Sequence, residues 1–285
     1  MATEVLVSKG SAALPSLIDE AAVADPVGSH RRRVELGGIL LDQVDLAGAV
    51  ERIEGFVRSG GSHQVVTVNL DFLSIADRDP EFEATLNEAD LAVADGMPLV
   101  WLSRLKGEPL DERVAGVELV MESCRIGAEL GSKVFLLGAA PGVAEAAGAR
   151  IEETYPGIRI AGTYSPPMGP LTAQENQRII DLIRLAQPDF LFVALGAPRQ
   201  DLWIHEHLAD LNVSVAMGVG CVLDLLAGNV KRAPLWMQRT GLEWAFRLVH
   251  EPGRLWRRYL LNDLPLLARL SLAGPQPKAS EALSA

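Results

Sequence analysis

Three polar groups stand where apolar runs stop in the first half of the chain. The runs end at Thr67-Val68-Asn69 and at Ala94-Asp95-Gly96, and Arg113 follows in a polar connection. In an open α/β sheet the strand C-termini line the ligand crevice, so polar residues there are candidates for chemistry as well as for packing. An aspartate at that place can take a proton from a substrate hydroxyl, provided one lies within hydrogen-bond reach. It can equally cap the following helix by accepting from its free N–H groups, and the sequence leaves both readings open. Thr67 and Asn69 fall on one face of their strand, suited to holding a polar substrate or to bonding a neighbouring loop. Arg113 offers a cation to an anionic substrate, with Glu112 as the alternative partner.

A second set of residues suggests phosphate. Gly138-Ala139-Ala140-Pro141-Gly142, Leu195-Gly196-Ala197-Pro198-Arg199-Gln200 and Gly218-Val219-Gly220 each join an apolar run to a helical one. Backbone N–H groups at such turns, backed by a helix N-terminus, cradle phosphate oxygens. Glycine also serves there simply to reverse the chain. Three such turns in one half favour a nucleotide site over any single turn. Gly218-Val219-Gly220 reaches Leu223 where a dinucleotide fingerprint needs glycine, and no P-loop pattern occurs.

Two further patterns are set aside. Asp77-Arg78-Asp79 has the form of a metal-holding D-x-D, but it ends a predicted helix before Pro80 and reads as a surface turn. His205 and His207 are two apart on a predicted helix and point to different faces, which suits one metal poorly.

The elements that must position these groups alternate. Strand-like runs are expected within 34–41 and at 64–69, 91–94, 133–137, 158–162, 189–195 and 213–217. Helical runs are expected at 46–58, 71–77, 80–88, 97–105, 116–130, 141–155, 174–186 and 200–211. This predicts an α/β fold: a Rossmann-like, doubly wound, mostly parallel sheet. Residues 1–33 read as a flexible extension and 34–230 as the core. Residues 231–270 read as a basic helical C-terminal appendage broken at Pro252-Gly253 and Pro265, and 271–285 as a disordered tail.

Composition narrows the partners. The chain has 285 residues and a formal net charge of −11, which excludes a general nucleic-acid binder. The stretch 231–258 runs the other way, with seven Lys and Arg against Glu243 and Glu251, and suits a phosphate or an anionic membrane surface. Cys124 and Cys221 read as buried free thiols of a cytoplasmic protein. No signal-peptide core precedes residue 30, and Glu35 and Asp42 interrupt the run after Arg31-Arg32-Arg33. Any membrane contact is expected to be peripheral.

The motifs together resemble the WecG/TagA/CpsF glycosyltransferases. The likeness spans about residues 34–260. It adds Glu112-Arg113-Val114-Ala115-Gly116, Asp224, Lys231-Arg232-Ala233-Pro234, Gly241-Leu242-Glu243-Trp244 and Glu251-Pro252 to the groups already named. It implies inverting transfer, without a D-x-D metal or a cofactor, from a UDP-sugar co-substrate to a polyprenyl-diphosphate-linked sugar, with N-acetylmannosamine as the default sugar. Asp95 becomes the general base; Thr67, Asn69, Arg113 and Gln200 become substrate contacts. Arg247, Arg254 and Arg257 are the positions expected to reach the diphosphate. The Trp- and Leu-rich appendage is expected to rest on the inner face of the cytoplasmic membrane, and a homo-oligomer is left open. The competing reading is a non-catalytic nucleotide-sugar-binding module that docks through its basic C-terminus.

Overall fold

The structure, a computed structural model, describes residues 31–167 and 169–273. The expected N-terminal extension lies outside the described residues up to residue 30, and the expected tail from residue 274. Arg31 and Arg33 are not loose: Arg31 is paired with the buried Asp42 at 2.6 Å, and Arg33 begins the first strand. Strand β1 (Arg33–Leu36) and β2 (Ile39–Asp42) form an antiparallel hairpin. Its two turn residues, Gly37 and Gly38, both have positive φ, as a tight right-twisted hairpin requires.

The chain then alternates. Helix α1 (Leu46–Ser59) leads to β3 (His63–Val68), α2 (Leu70–Ala76), α3 (Pro80–Glu88), β4 (Leu91–Ala94), α4 (Met97–Leu105) and α5 (Gly116–Leu130). Next come β5 (Lys133–Gly138), α6 (Val143–Thr154), β6 (Arg159–Tyr164), α7 (Ala173–Ala186), β7 (Phe190–Ala194), α8 (Arg199–Leu211), β8 (Val215–Gly218) and α9 (Val222–Leu226). Strands β3 to β8 make one parallel sheet in the order β4-β3-β8-β7-β5-β6. The predicted doubly wound α/β class is the class observed.

Alternate strand residues feed opposite layers, which is why the strands read as unbroken apolar runs. Val65, Leu91, Val134, Phe190 and Val215 pack against α1, α5, α6 and α9 on one face. Phe135, Leu137, Leu191 and Ala216 meet α7 and α8 on the other, while Val66, Val68, Ala92 and Ala94 meet α2, α3, α4 and the hairpin.

Beyond β8 the chain leaves the sheet through α10 (Leu235–Arg239), α11 (Glu243–His250), α12 (Pro252–Arg257) and α13 (Leu264–Leu272). The expected break at Pro265 does not occur. A π-helical turn, Arg258–Asp263, joins α12 to α13 without interruption. Its wider winding takes up a proline that would otherwise clash within a regular helix. Helix α13 also returns to the core, where Leu266 and Leu270 join the cluster under the hairpin.

Candidate active site

Because all six strands are parallel, their C-termini share one edge, and the sequence-predicted groups gather along it. Thr67 is the penultimate residue of β3; Asn69 and Asp95 follow the ends of β3 and β4. Val68 O accepts from Asp95 N at 2.7 Å, which locks the two strand ends together. Ala94 O accepts from Val114 N at 3.0 Å, so the segment carrying Arg113 runs beside the end of β4.

Asn69 and Asp95 solve their local problems differently. Asn69 caps α2, its Oδ1 accepting from Asp71 N at 3.0 Å and from Phe72 N at 3.3 Å. Asp95 does not cap α4: the N-cap is Gly96, and no side chain bonds the first turn. The half-buried Asp95 carboxyl instead faces the start of α5. A Cβ on Gly116 would lie 3.2 Å from Thr67 Oγ1, a tight contact, and 3.6 Å from Asp95 Oδ2, so the start of α5 packs closely on both groups. Burial pushes the Asp95 carboxyl up to about 6. Glu243 adds to the rise, while Arg113, the Gly116 N–H and Arg247 oppose it.

Arg113 is neither solvated nor paired with Glu112. Its guanidinium pairs with Glu243 at 3.0 Å and Glu118 at 3.4 Å, while Glu112 accepts from Leu46 N at 2.8 Å. Arg247 donates to Cys221 Sγ at 2.9 Å, seating α11 over the turn after β8. Cys221 is only half-buried, unlike the expected core thiol; Cys124 is the buried one, its thiol pushed up to about 12 by burial. Arg257 is exposed and lies over the Trp256 ring at 5.3 Å. Arg254 belongs to α12, and its side chain lies outside the described residues.

The glycine turns lie on the same edge but farther along it. β8, β7 and β5 are two, three and four strand spacings from β4, which puts Gly218, Gly196 and Gly138 about 10, 14 and 19 Å from the Asp95 end. Gly138 has φ +101, and a Cβ there would meet Ala194 O at 2.4 Å, so packing alone demands glycine. Gly142 is the left-handed N-cap of α6, with open space around it, and Gly196 and Gly220 are likewise open. Gln200 is buried: its Oε1 accepts from Gly196 N and Gly220 N, tying two turns together.

Several pairings of this region were not read from sequence. Arg232 and Glu118 pair at 2.9 Å, and Arg258 joins the appendage to Asp71 at 3.1 Å and to Asn69 Oδ1 at 3.4 Å. Arg232 stands in the Lys231-Arg232-Ala233-Pro234 motif and, with Arg258, in the basic excess past β8, whereas Glu118 carries no signal in the sequence. The D-x-D pattern sits between α2 and α3, where Asp79 caps α3 and Asp77 pairs with Arg269. His205 faces Glu88, while His207 packs edge-on against Trp203.

A parallel sheet that collects a carboxylate and guanidinium groups at its carboxyl edge is the framework of a Rossmann-like α/β protein with its ligand site at that edge. A family model described as the glycosyl transferase WecG/TagA/CpsF family matches residues 34–279. The chain belongs to that family, and is an enzyme that transfers sugars. A curated relative from Bacillus spizizenii is 38% identical over 196 residues, covering 69% of this chain and 74% of its own length. One from Staphylococcus aureus is 31% identical over 240 residues, covering 84% of this chain and 91% of its own. Both relatives carry the name N-acetylglucosaminyldiphosphoundecaprenol N-acetyl-beta-D-mannosaminyltransferase. Among the described residues no helix is long and apolar enough to cross a membrane.

Proposed function

We propose that this enzyme moves an N-acetylmannosamine-type sugar from a UDP-sugar to a polyprenyl-diphosphate-linked N-acetylglucosamine, with inversion and without a metal, in the making of a cell-envelope polysaccharide. The substrates are those named for the two relatives, together with the donor class expected from the family motifs. The observation that carries the chemistry is the placement of the Asp95 carboxyl at the carboxyl edge of the sheet, not spent on capping α4 and lying against Thr67 and the start of α5; burial there pushes it up to about 6.

Asp95 takes the proton from the acceptor hydroxyl, and the oxygen attacks the anomeric carbon. The bond from that carbon to the diphosphate oxygen breaks, and UDP leaves with the bonding electrons. A single displacement of this kind inverts the anomeric centre. Negative charge grows on the departing diphosphate, and arginine, permanently charged and planar, is the side chain suited to meet it. Arg113 and Arg247 both act on the base; Arg247, with Arg254 and Arg257 of α12, is the arginine proposed to meet the diphosphate, while Arg113 is held by Glu118 and Glu243. Metal independence is supported by the D-x-D aspartates being committed to a helix cap and an ion pair. The glycine turns after β5, β7 and β8 are the proposed seat of the nucleotide, and Gln200 supports two of them.

The lipid acceptor implies work at the inner face of the cytoplasmic membrane. Trp236, Trp244, Trp256, Leu260 and Leu261 are exposed on the basic appendage, a mix of apolar and cationic groups that suits an anionic bilayer. The test is a screen of UDP-sugars for UDP release, with and without a short-chain lipid-diphosphate-N-acetylglucosamine acceptor. Acceptor-dependent release from UDP-N-acetylmannosamine is the expected result. Release that ignores the acceptor, or none with any UDP-sugar, would overturn this reading.

A further inference from the structure

Four side chains from separate parts of the chain close into a ring beside Asp95. Arg113 pairs with Glu243 at 3.0 Å and with Glu118 at 3.4 Å. Arg232 pairs with the same two carboxylates, at 2.9 Å to Glu118 and 3.5 Å to Glu243. Charges alternate around the ring, and side-chain exposures of 15–33% keep it partly screened from solvent. Isolated surface ion pairs contribute little, whereas a closed, half-buried network fixes geometry.

The ring is divided between two bodies of the fold. Arg113 and Glu118 belong to the core, before and within α5; Arg232 and Glu243 belong to the chain beyond β8. Glu118 and Glu243 both lie in the first turn of a helix, where the backbone dipole favours an anion. A ring with two cations and two anions carries no net charge, so it is not a ready-made diphosphate seat. It is a clasp that brings one carboxylate of the appendage to the edge of the base.

We propose that Glu243 is a positioning residue for the sugar transfer: seated with α11 and clasped by Arg113 and Arg232, it brings a negative charge of the appendage into the surroundings of the Asp95 carboxyl. This rests on the assignment of Asp95 as the base. The groups facing Asp95 are Arg113 from the preceding segment, the Gly116 N–H of α5, and Glu243 and Arg247 of α11. Burial, the largest influence, raises the Asp95 carboxyl; Arg113, the Gly116 N–H and Arg247 lower it, and Glu243 raises it. Glu118 pairs with both arginines of the ring but is not among the largest influences on Asp95. The docked appendage therefore helps to keep the base weakly acidic enough to accept a proton near neutral pH.

The two glutamates separate this role from a purely structural one. Glu243→Gln and Glu118→Gln each break the ring once, in the full chain. The Asp95 carboxyl is followed by carbon-13 NMR titration, alongside kcat/KM against pH. In Glu243→Gln the Asp95 midpoint is expected to fall by about half a pH unit or more, and in Glu118→Gln to stay within about 0.2 of wild type. Glu243→Asp keeps the charge but withdraws it, gives an intermediate midpoint, and carries the test if the Gln variant does not fold. An unmoved midpoint in Glu243→Gln, or an equal shift in Glu118→Gln, overturns the proposal. The titration needs no turnover, so it separates the two readings. If the midpoint moves but the acid limb of kcat/KM does not, the Glu243 link stands and Asp95 is not the base. A limb that moves without the midpoint belongs to another group and overturns the proposal.

Discussion

Gly220 donates its backbone N–H to Gln200 Oε1 at 3.1 Å, and Gly196 donates to the same oxygen at 3.2 Å. One buried amide thus fixes the turns after β7 and β8 against each other, at the edge where the nucleotide is proposed to bind. Replacing it with Met keeps the bulk and removes the acceptor for both N–H groups. Gln200→Met is expected to lose about 2 kcal/mol of stability, at the net worth of two hydrogen bonds. Thermal unfolding gives that loss, and a raised KM for the donor with a smaller change in kcat identifies the turns as its binding region. An unchanged KM would place the nucleotide elsewhere.

As the proposed base, the Asp95 carboxyl, pushed up to about 6 by burial, is expected to set the pH dependence of transfer. A base must be ionised, so turnover is low below that value and climbs as pH rises through it. Asp95→Asn cannot take a proton at any pH. Loss of a general base costs on the order of a hundredfold or more in kcat, and the variant should show no limb near pH 6. The check is a kcat/KM–pH profile of both proteins, with the fold verified by circular dichroism.

The parallel sheet was legible because fully buried strands read as continuous apolar runs, and Asn69 and Asp95 stood out by ending two of them. The sequence could not tell their roles apart, since either residue type caps helices. What separates them is that Gly96 occupies the N-cap of α4 while Asn69 occupies that of α2. The partners of Arg113 were hidden for a different reason. Glu243 is 130 residues away, and a tertiary ion pair leaves no periodicity in sequence. Glu112, its neighbour in the chain, was the natural local guess and bonds Leu46 N instead. Pro265 misled because a proline usually ends a helix, whereas a π-helical turn just before it lets the helix continue.

Arg247 acts on Asp95 and, in the proposed reaction, on the departing diphosphate. Its positive charge lowers the Asp95 carboxyl, against burial, which raises it. Arg247→Gln is therefore expected to move the acid limb of kcat/KM to higher pH. At the pH plateau the loss of one charged donor should still cost about a hundredfold in kcat. Arg247→Lys retains the charge without the planar fork, so it should restore the limb and only part of the rate. A plateau rate equal to wild type in Arg247→Gln would remove this arginine from the leaving-group side of the mechanism.

Asp201 makes a prediction about stability alone. Its side chain is fully buried at the start of α8, neither carboxyl oxygen makes a hydrogen bond of good geometry, and burial pushes its pKa up to about 7 against the Gln200 amide and its own backbone N–H, which lower it. The folded state therefore keeps the proton up to about pH 7, while the unfolded chain releases it near 3.8, as an aspartate in water does. Between those two values the folded state binds more protons than the unfolded one, so stability falls as pH rises and levels off above about 7. At about 1.4 kcal/mol per pH unit the full effect is up to about 4 kcal/mol. Asp201→Asn has nothing to ionise. Compared with wild type it should gain relative stability progressively from about pH 4 to 7 and run parallel above, in urea unfolding measured across that range. Parallel curves over the whole range would mean that the buried carboxyl is ionised at no unusual cost.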